Sequence, residues 1–95
     1  IVLLQPKAET TGEELATLLA HVQDLQSLVP GILAISTGKN RSPYHSPYTH
    51  GIIMHFVDEA HLLAHHPHPA HVAVVEELER LCASSIDFDL FESIL

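Results

Sequence analysis

Tryptophan is absent, cysteine occurs once, and only four of the 95 residues are basic. Each shortage removes a class of function. A lone Cys82 cannot form an intrachain disulfide, so a disulfide-stapled scaffold is excluded and a reducing, cytoplasmic setting fits best. Lys7, Lys39, Arg41 and Arg80 are scattered among twelve acidic residues, for a formal net charge of −8. A surface that neutralises phosphates needs clustered cations, so neither nucleic acid nor an anionic membrane is an expected partner. No apolar run approaches the ~18 residues of a membrane span. No signal-peptide pattern opens the chain, which begins at Ile1 inside an apolar run. Aromatic residues make up 5%, so the 46% hydrophobic content is mostly Leu, Val, Ile and Ala. We expect one domain over residues 1–95, with a modest core that a second copy would help to stabilise.

Histidine is the residue in excess. Of nine, five (His61, His65, His66, His68 and His71) fall within eleven positions. Its unperturbed pKa lies nearest neutrality, so such a cluster points to proton transfer, metal binding or pH sensing.

The hydropathy pattern orders the rest. Ile1-Val2-Leu3-Leu4 reads as a first strand that ends by Pro6, which has no N–H to pair. Thr11-Gly12-Glu13-Glu14 has the form of a capping box. Behind it Leu15, Leu18, Leu19, Val22, Leu25 and Val29 form one stripe of a helix that Pro30-Gly31 ends. Ile32 to Thr37 reads as a second strand and Gly38 to Pro47 as a loop. Tyr48 to Val57 is the third strand, with apolar side chains on both of its faces. Both faces should therefore be covered, one of them by a second molecule. Asp58 is the expected N-cap of a short helix to about His65, and Pro69 suits the first turn of another that runs to about Ala83. Ser84 and Ser85 then punctuate, and Ile86, Phe88 and Leu90 alternate as a last strand. The order β-α-β-β-α-β predicts an α+β, ferredoxin-like fold: a four-stranded antiparallel sheet with helices on one face.

Tyr48-Thr49-His50, His68-Pro69-Ala70-His71 and the closing Phe88-Asp89 together resemble the stress-response dimeric α/β barrel (Dabb) family. Pro30-Gly31-Ile32 and Gly38-Lys39-Asn40 match it in the same register. The resemblance implies a homodimeric α/β barrel, in which two sheets face each other with helices outside. It also implies stress-associated or unassigned roles, and in one plant member a polyketide cyclase activity. In that cyclase the histidines equivalent to His50 and His71 line the pocket. A pocket tyrosine of the cyclase is replaced here by His65, and a further histidine would precede Ile1.

These residues admit two readings. His50 is either a general base, which needs a neutral imidazole, or a hydrogen-bonded strut between strand and helix. His71, in the first turn of a helix, sits where the dipole favours the neutral ring. Tyr48, His65 and His68 are candidate pocket-lining residues; His68 is also placed to cap the helix, and Tyr44 to close the pocket mouth. The spacings His61/His65 and His68/His71 put pairs on one helical face, yet proline separates them and no third ligand is evident, so no metal site is assigned. His21, His45, His61 and His66 read as surface or loop residues. Asp87 and Asp89 read as solvated or dimer-rim carboxylates, and Cys82 as a packed thiol of the last helix. The leading expectation is a homodimer with a histidine-marked pocket, between the sheet and helices of each protomer, for a small hydrophobic ligand, without a cofactor. Its rival is a cyclase or lyase in which His50 takes a proton next to a carbonyl and His71 or Tyr48 polarises the oxygen.

Overall fold

A computed structural model describes residues 1–44 and 46–91. His45 therefore lies outside the described residues. Four strands, β1 (Val2–Pro6), β2 (Ile32–Lys39), β3 (His50–Phe56) and β4 (Cys82–Asp87), alternate with α1 (Gly12–Leu28), α2 (Glu59–His65) and α3 (Pro69–Leu81). The strands form one antiparallel sheet in the order β2-β3-β1-β4. This is the ferredoxin-like plan, with the second α segment split into α2 and α3 at the His66-Pro67 step.

Local chemistry accounts for most boundaries. Thr11 accepts from the Glu14 backbone N–H, and the Glu14 carboxylate accepts from that of Thr11, a reciprocal cap that starts α1. Those hydrogen bonds also hold the Glu14 carboxyl below the usual range. Asp58 caps α2 through the His61 N–H. His68 caps α3, its Nδ1 accepting from the Ala70 N–H, with Pro69 as the first helical residue. At the end of α1 the chain reverses through Gly31, whose φ of 87° lies in the left-handed region. A Cβ there would overlap the His61 side chain, so glycine also lets α2 approach.

The last strand departs from expectation. β4 begins at Cys82, immediately after α3, rather than at Ile86, and α3 stops at Leu81. Ser84 and Ser85 do not interrupt it; they pair with Gln5 and Leu4 of β1. Ladder hydrogen bonds use the backbone, so two small polar residues on an edge strand are no obstacle. Cys82 is thus a strand residue, buried as expected, and burial raises its thiol pKa against the opposing pull of Lys7.

The core lies between the sheet and α1 and α3. Leu4, Leu18, Val22 and Leu25 are its most deeply buried side chains, joined by Ile32, Ile35, Ile52, Val74 and Leu81. Ile32 and Ile35 both reach it because the register shifts between Ile32 and Ala34, a bulge that alternation alone does not reveal. Across the sheet no helix of the described residues covers Leu3, Ile53 or Ile86, and all three are exposed.

Candidate functional site

The candidate residues separate toward the two ends of β3. At its start, His50 pairs across the sheet with Lys39 of β2 and Leu4 of β1. Its imidazole is half-buried, and Nδ1 lies 2.8 Å from the Thr49 hydroxyl. Burial first, and the Lys39 ammonium second, push its pKa below the ordinary histidine value, so the ring is neutral at pH 7. Asn40 holds the approach to the strand. Its side-chain amide donates to the Tyr48 carbonyl and its backbone N–H to that of Thr49. From there the Tyr48 hydroxyl reaches past β1 to lie 3.1 Å from the Ser84 hydroxyl on β4.

Tyr48 and His50 line a groove of about 430 Å³, together with Ile1, Leu3, Ser36 and Ile53. Leu3 and Gly51 face each other across β1 and β3, with Gly38 beyond. They alternate with the buried Leu4 and Ile52, so the groove runs over the helix-free face of the sheet. His50, paired with Leu4, keeps the register of the helix-covered face and borders the groove at the start of β3. The space between sheet and helices holds packed aliphatic side chains instead. Tyr44, expected at the pocket mouth, is exposed and does not line the groove.

At the other end of β3 stands a cluster of imidazoles. The His65 ring packs 4.6 Å from Phe56, 4.2 Å from His66 and 4.4 Å from His71, measured between ring centroids. Phe56 is the last residue of β3 and His50 the first, which places them about 20 Å apart at ~3.3 Å per residue. The structure thus brings His65 and His71 together with His66, and leaves His50 with Tyr48. His65 is the one buried polar side chain of the described core. Its Nδ1 hydrogen-bonds to the Leu62 carbonyl. Burial is the main cause lowering its pKa. The Leu62 bond and the Asp89 carboxylate work against that shift, while any charge on His71 or His66 adds to it. Asp89 is exposed, as expected of a solvated carboxylate, but close enough for its charge to act on His65.

Two other histidines have ordinary partners. His21 of α1 meets Glu77 of α3 at 2.7 Å, and His61 turns back to its own cap, Asp58, at 2.6 Å. The pairs suggested by helical spacing, His61/His65 and His68/His71, are not the ones brought together in the cluster. His66, read from sequence as a surface residue, is exposed yet belongs to it. No periodicity could have signalled this, because the contacts cross a proline break.

The model of the stress responsive A/B barrel domain matches residues 1–92. No protein with a curated description matches significantly. Among solved structures, a protein of Arabidopsis thaliana is 22% identical with a TM-score of 0.84, covering 99% of this chain and 95% of its own. A dimeric ferredoxin-like protein of unknown function from Jannaschia sp. CCS1 is 25% identical, with a TM-score of 0.78 and 94% of each chain covered. A hydroxynitrile lyase from Passiflora edulis is 18% identical, with a TM-score of 0.82 over 90% of this chain and 82% of that one. By sequence and by fold, then, this chain belongs to the stress responsive A/B barrel (Dabb) family.

Proposed function

We propose that the chain works as a homodimer in which a second copy closes the helix-free face, making the Tyr48–His50 groove a pocket for a small hydrophobic ligand. One observation carries this reading: an uncovered row of Ile1, Leu3, Ile53 and Ile86 borders a groove with only a few polar groups. Contiguous exposed apolar surface of that kind marks an interface, and pockets with a few placed polar groups mark small-molecule sites. The dimeric description of the Jannaschia relative supports the same assembly. A reducing, cytoplasmic setting fits the buried, protonated thiol of Cys82. Sedimentation at micromolar concentration should give a dimer, and Ile53→Asp should convert it to a monomer that stays folded. A wild-type monomer would overturn the reading.

A second reading has its own support. His50, with a neutral imidazole, and Tyr48, with a phenol, both border the groove at the start of β3, and such a pair can remove a proton and polarise an oxygen without a cofactor. In this reading the protein is a cyclase or lyase of hydrophobic carbonyl compounds, with His50 as base and Tyr48 as the oxygen's partner. The lyase activity of the Passiflora relative is in keeping with it. His71 lies outside the groove lining, so the polarising role falls to Tyr48. His50→Ala should abolish turnover of a matched substrate while the melting temperature stays within a few degrees. If that variant unfolds instead, His50 is a structural strut.

A further inference from the structure

The imidazole cluster at the far end of β3 belongs to neither reading of the groove. Ring nitrogens of His65, His66 and His71 all lie within 4.8 Å of one another. They come from three local settings: the last residue of α2, its C-cap, and the first turn of α3. The objection raised by the sequence was that proline separates the histidine pairs and leaves no third ligand. The fold removes it. Pro67 and Pro69 fix the backbone of the connection, the His68 N–H donates to the His65 carbonyl at 3.1 Å, and the His68 side chain caps α3. His71 is thereby carried back over His65 and His66.

The tautomers are also set. A carbonyl oxygen can only accept, so each ring nitrogen bonded to one must carry its proton. The Nδ1 of His65 meets the Leu62 carbonyl, and the Nδ1 of His71 meets the His66 carbonyl at 3.1 Å. In the neutral form of each ring the Nε2 lone pair is then the one left free for a ligand. A backbone carbonyl on the second nitrogen is the usual support for a metal-binding histidine, fixing ring orientation and raising basicity. Asp89 adds negative charge nearby.

We propose that His65, His66 and His71 bind one zinc ion per chain through their ring nitrogens, with a fourth position open to water. Imidazole is a borderline ligand that suits zinc, and three neutral nitrogens with one open position match its tetrahedral habit. Zinc at ~2.0–2.1 Å from each nitrogen would hold them about 3.4 Å apart. Binding therefore requires small rotations of side chains whose backbone is already in place. The exposed His66 gives the ion a path from solvent.

The test is a titration of chelator-treated protein with zinc, in competition with a chromophoric chelator, and with cobalt(II) for its visible spectrum. The expected result is one ion per chain and a tetrahedral cobalt spectrum. His66→Ala and His71→Ala should each weaken binding at least about tenfold, whereas His21→Ala should change nothing. Zinc should also raise the melting temperature of the wild type and not that of His71→Ala. Because His65 is buried, its own replacement can fail to fold, and the two more accessible ligands carry the decision. Binding that survives both replacements, several weak ions per chain, or no binding would overturn the proposal.

Discussion

On the helix-covered face Leu4 and Leu18 are fully buried, whereas on the other face of the same sheet Leu3 and Ile53 keep 38% and 42% of their surface. The residue types are alike, and Leu3 and Leu4 are neighbours in β1. What differs is what stands opposite. On one side α1 and α3 remove the aliphatic groups from water, at roughly 1.5–3 kcal/mol for each fully buried side chain. On the other side nothing among the described residues does so. Hydrophobicity therefore says that a strand residue is to be covered, and not by what. The two imidazole regions repeat the lesson. His50 is kept neutral by burial and a neighbouring ammonium, while His65 is kept neutral mainly by burial within the core margin.

Three further measurements bear on that contrast between faces. The largest effect is expected from Leu18→Ala. It should cost about 3 kcal/mol, within the ~2–5 kcal/mol range of large-to-small core changes, read as a lowered denaturant midpoint. Leu3→Ala, compared under dilution that favours the monomer, should cost well under half as much. Equal losses there would mean that the open face is packed even in a single chain.

An intermediate effect is expected at the turn that docks α2 against the core side. Gly31→Ala forces a side chain into the left-handed region, at about 1–2 kcal/mol, and places its Cβ on the His61 ring. Adding His61→Ala should recover only part of the steric cost, because the Cβ that alanine keeps is itself among the atoms overlapped, and should leave the conformational part. Full recovery would show that the backbone there relaxes freely.

The smallest effect is expected from His50. Its folded pKa is lowered, so between that value and ~6.5 the unfolded chain binds more protons. Its contribution is complete above ~6.5 and is lost as the pH falls through the folded value. Lys39 is the charged group paired across from it. His50→Gln should flatten the acid side of the melting-temperature profile by about one or two degrees, after allowance for solvent screening. An unchanged slope would mean that His50 titrates as freely as in the unfolded chain.

Local signals that act over three or four residues were readable in advance. Thr11 with Glu14, Asp58, and Pro69 at the head of a helix all took the positions their chemistry suggested. The strand alternation around Ile52 and Ile53 separates a buried face from an exposed one. The start of β4 is hidden because Ser84-Ser85 resembles a break, and the β2 bulge is hidden because a shift of register leaves no mark in the alternation. The groove was expected under the helices and lies on the opposite face, since only packing shows that α1 and α3 fill the covered side with aliphatic side chains.

The order of residues by itself determined where helices start, which strand positions avoid water, and that histidine is concentrated before the last helix. These follow from hydrogen-bonding capacity and periodicity, which are properties of short segments. Only the tertiary structure decided that His50 joins Tyr48 while His65 joins His66 and His71. Those groupings depend on strand register, on the path of the chain through Pro67 and Pro69, and on which face the helices cover. Each is settled by the burial of the whole core rather than by any residue's own preference.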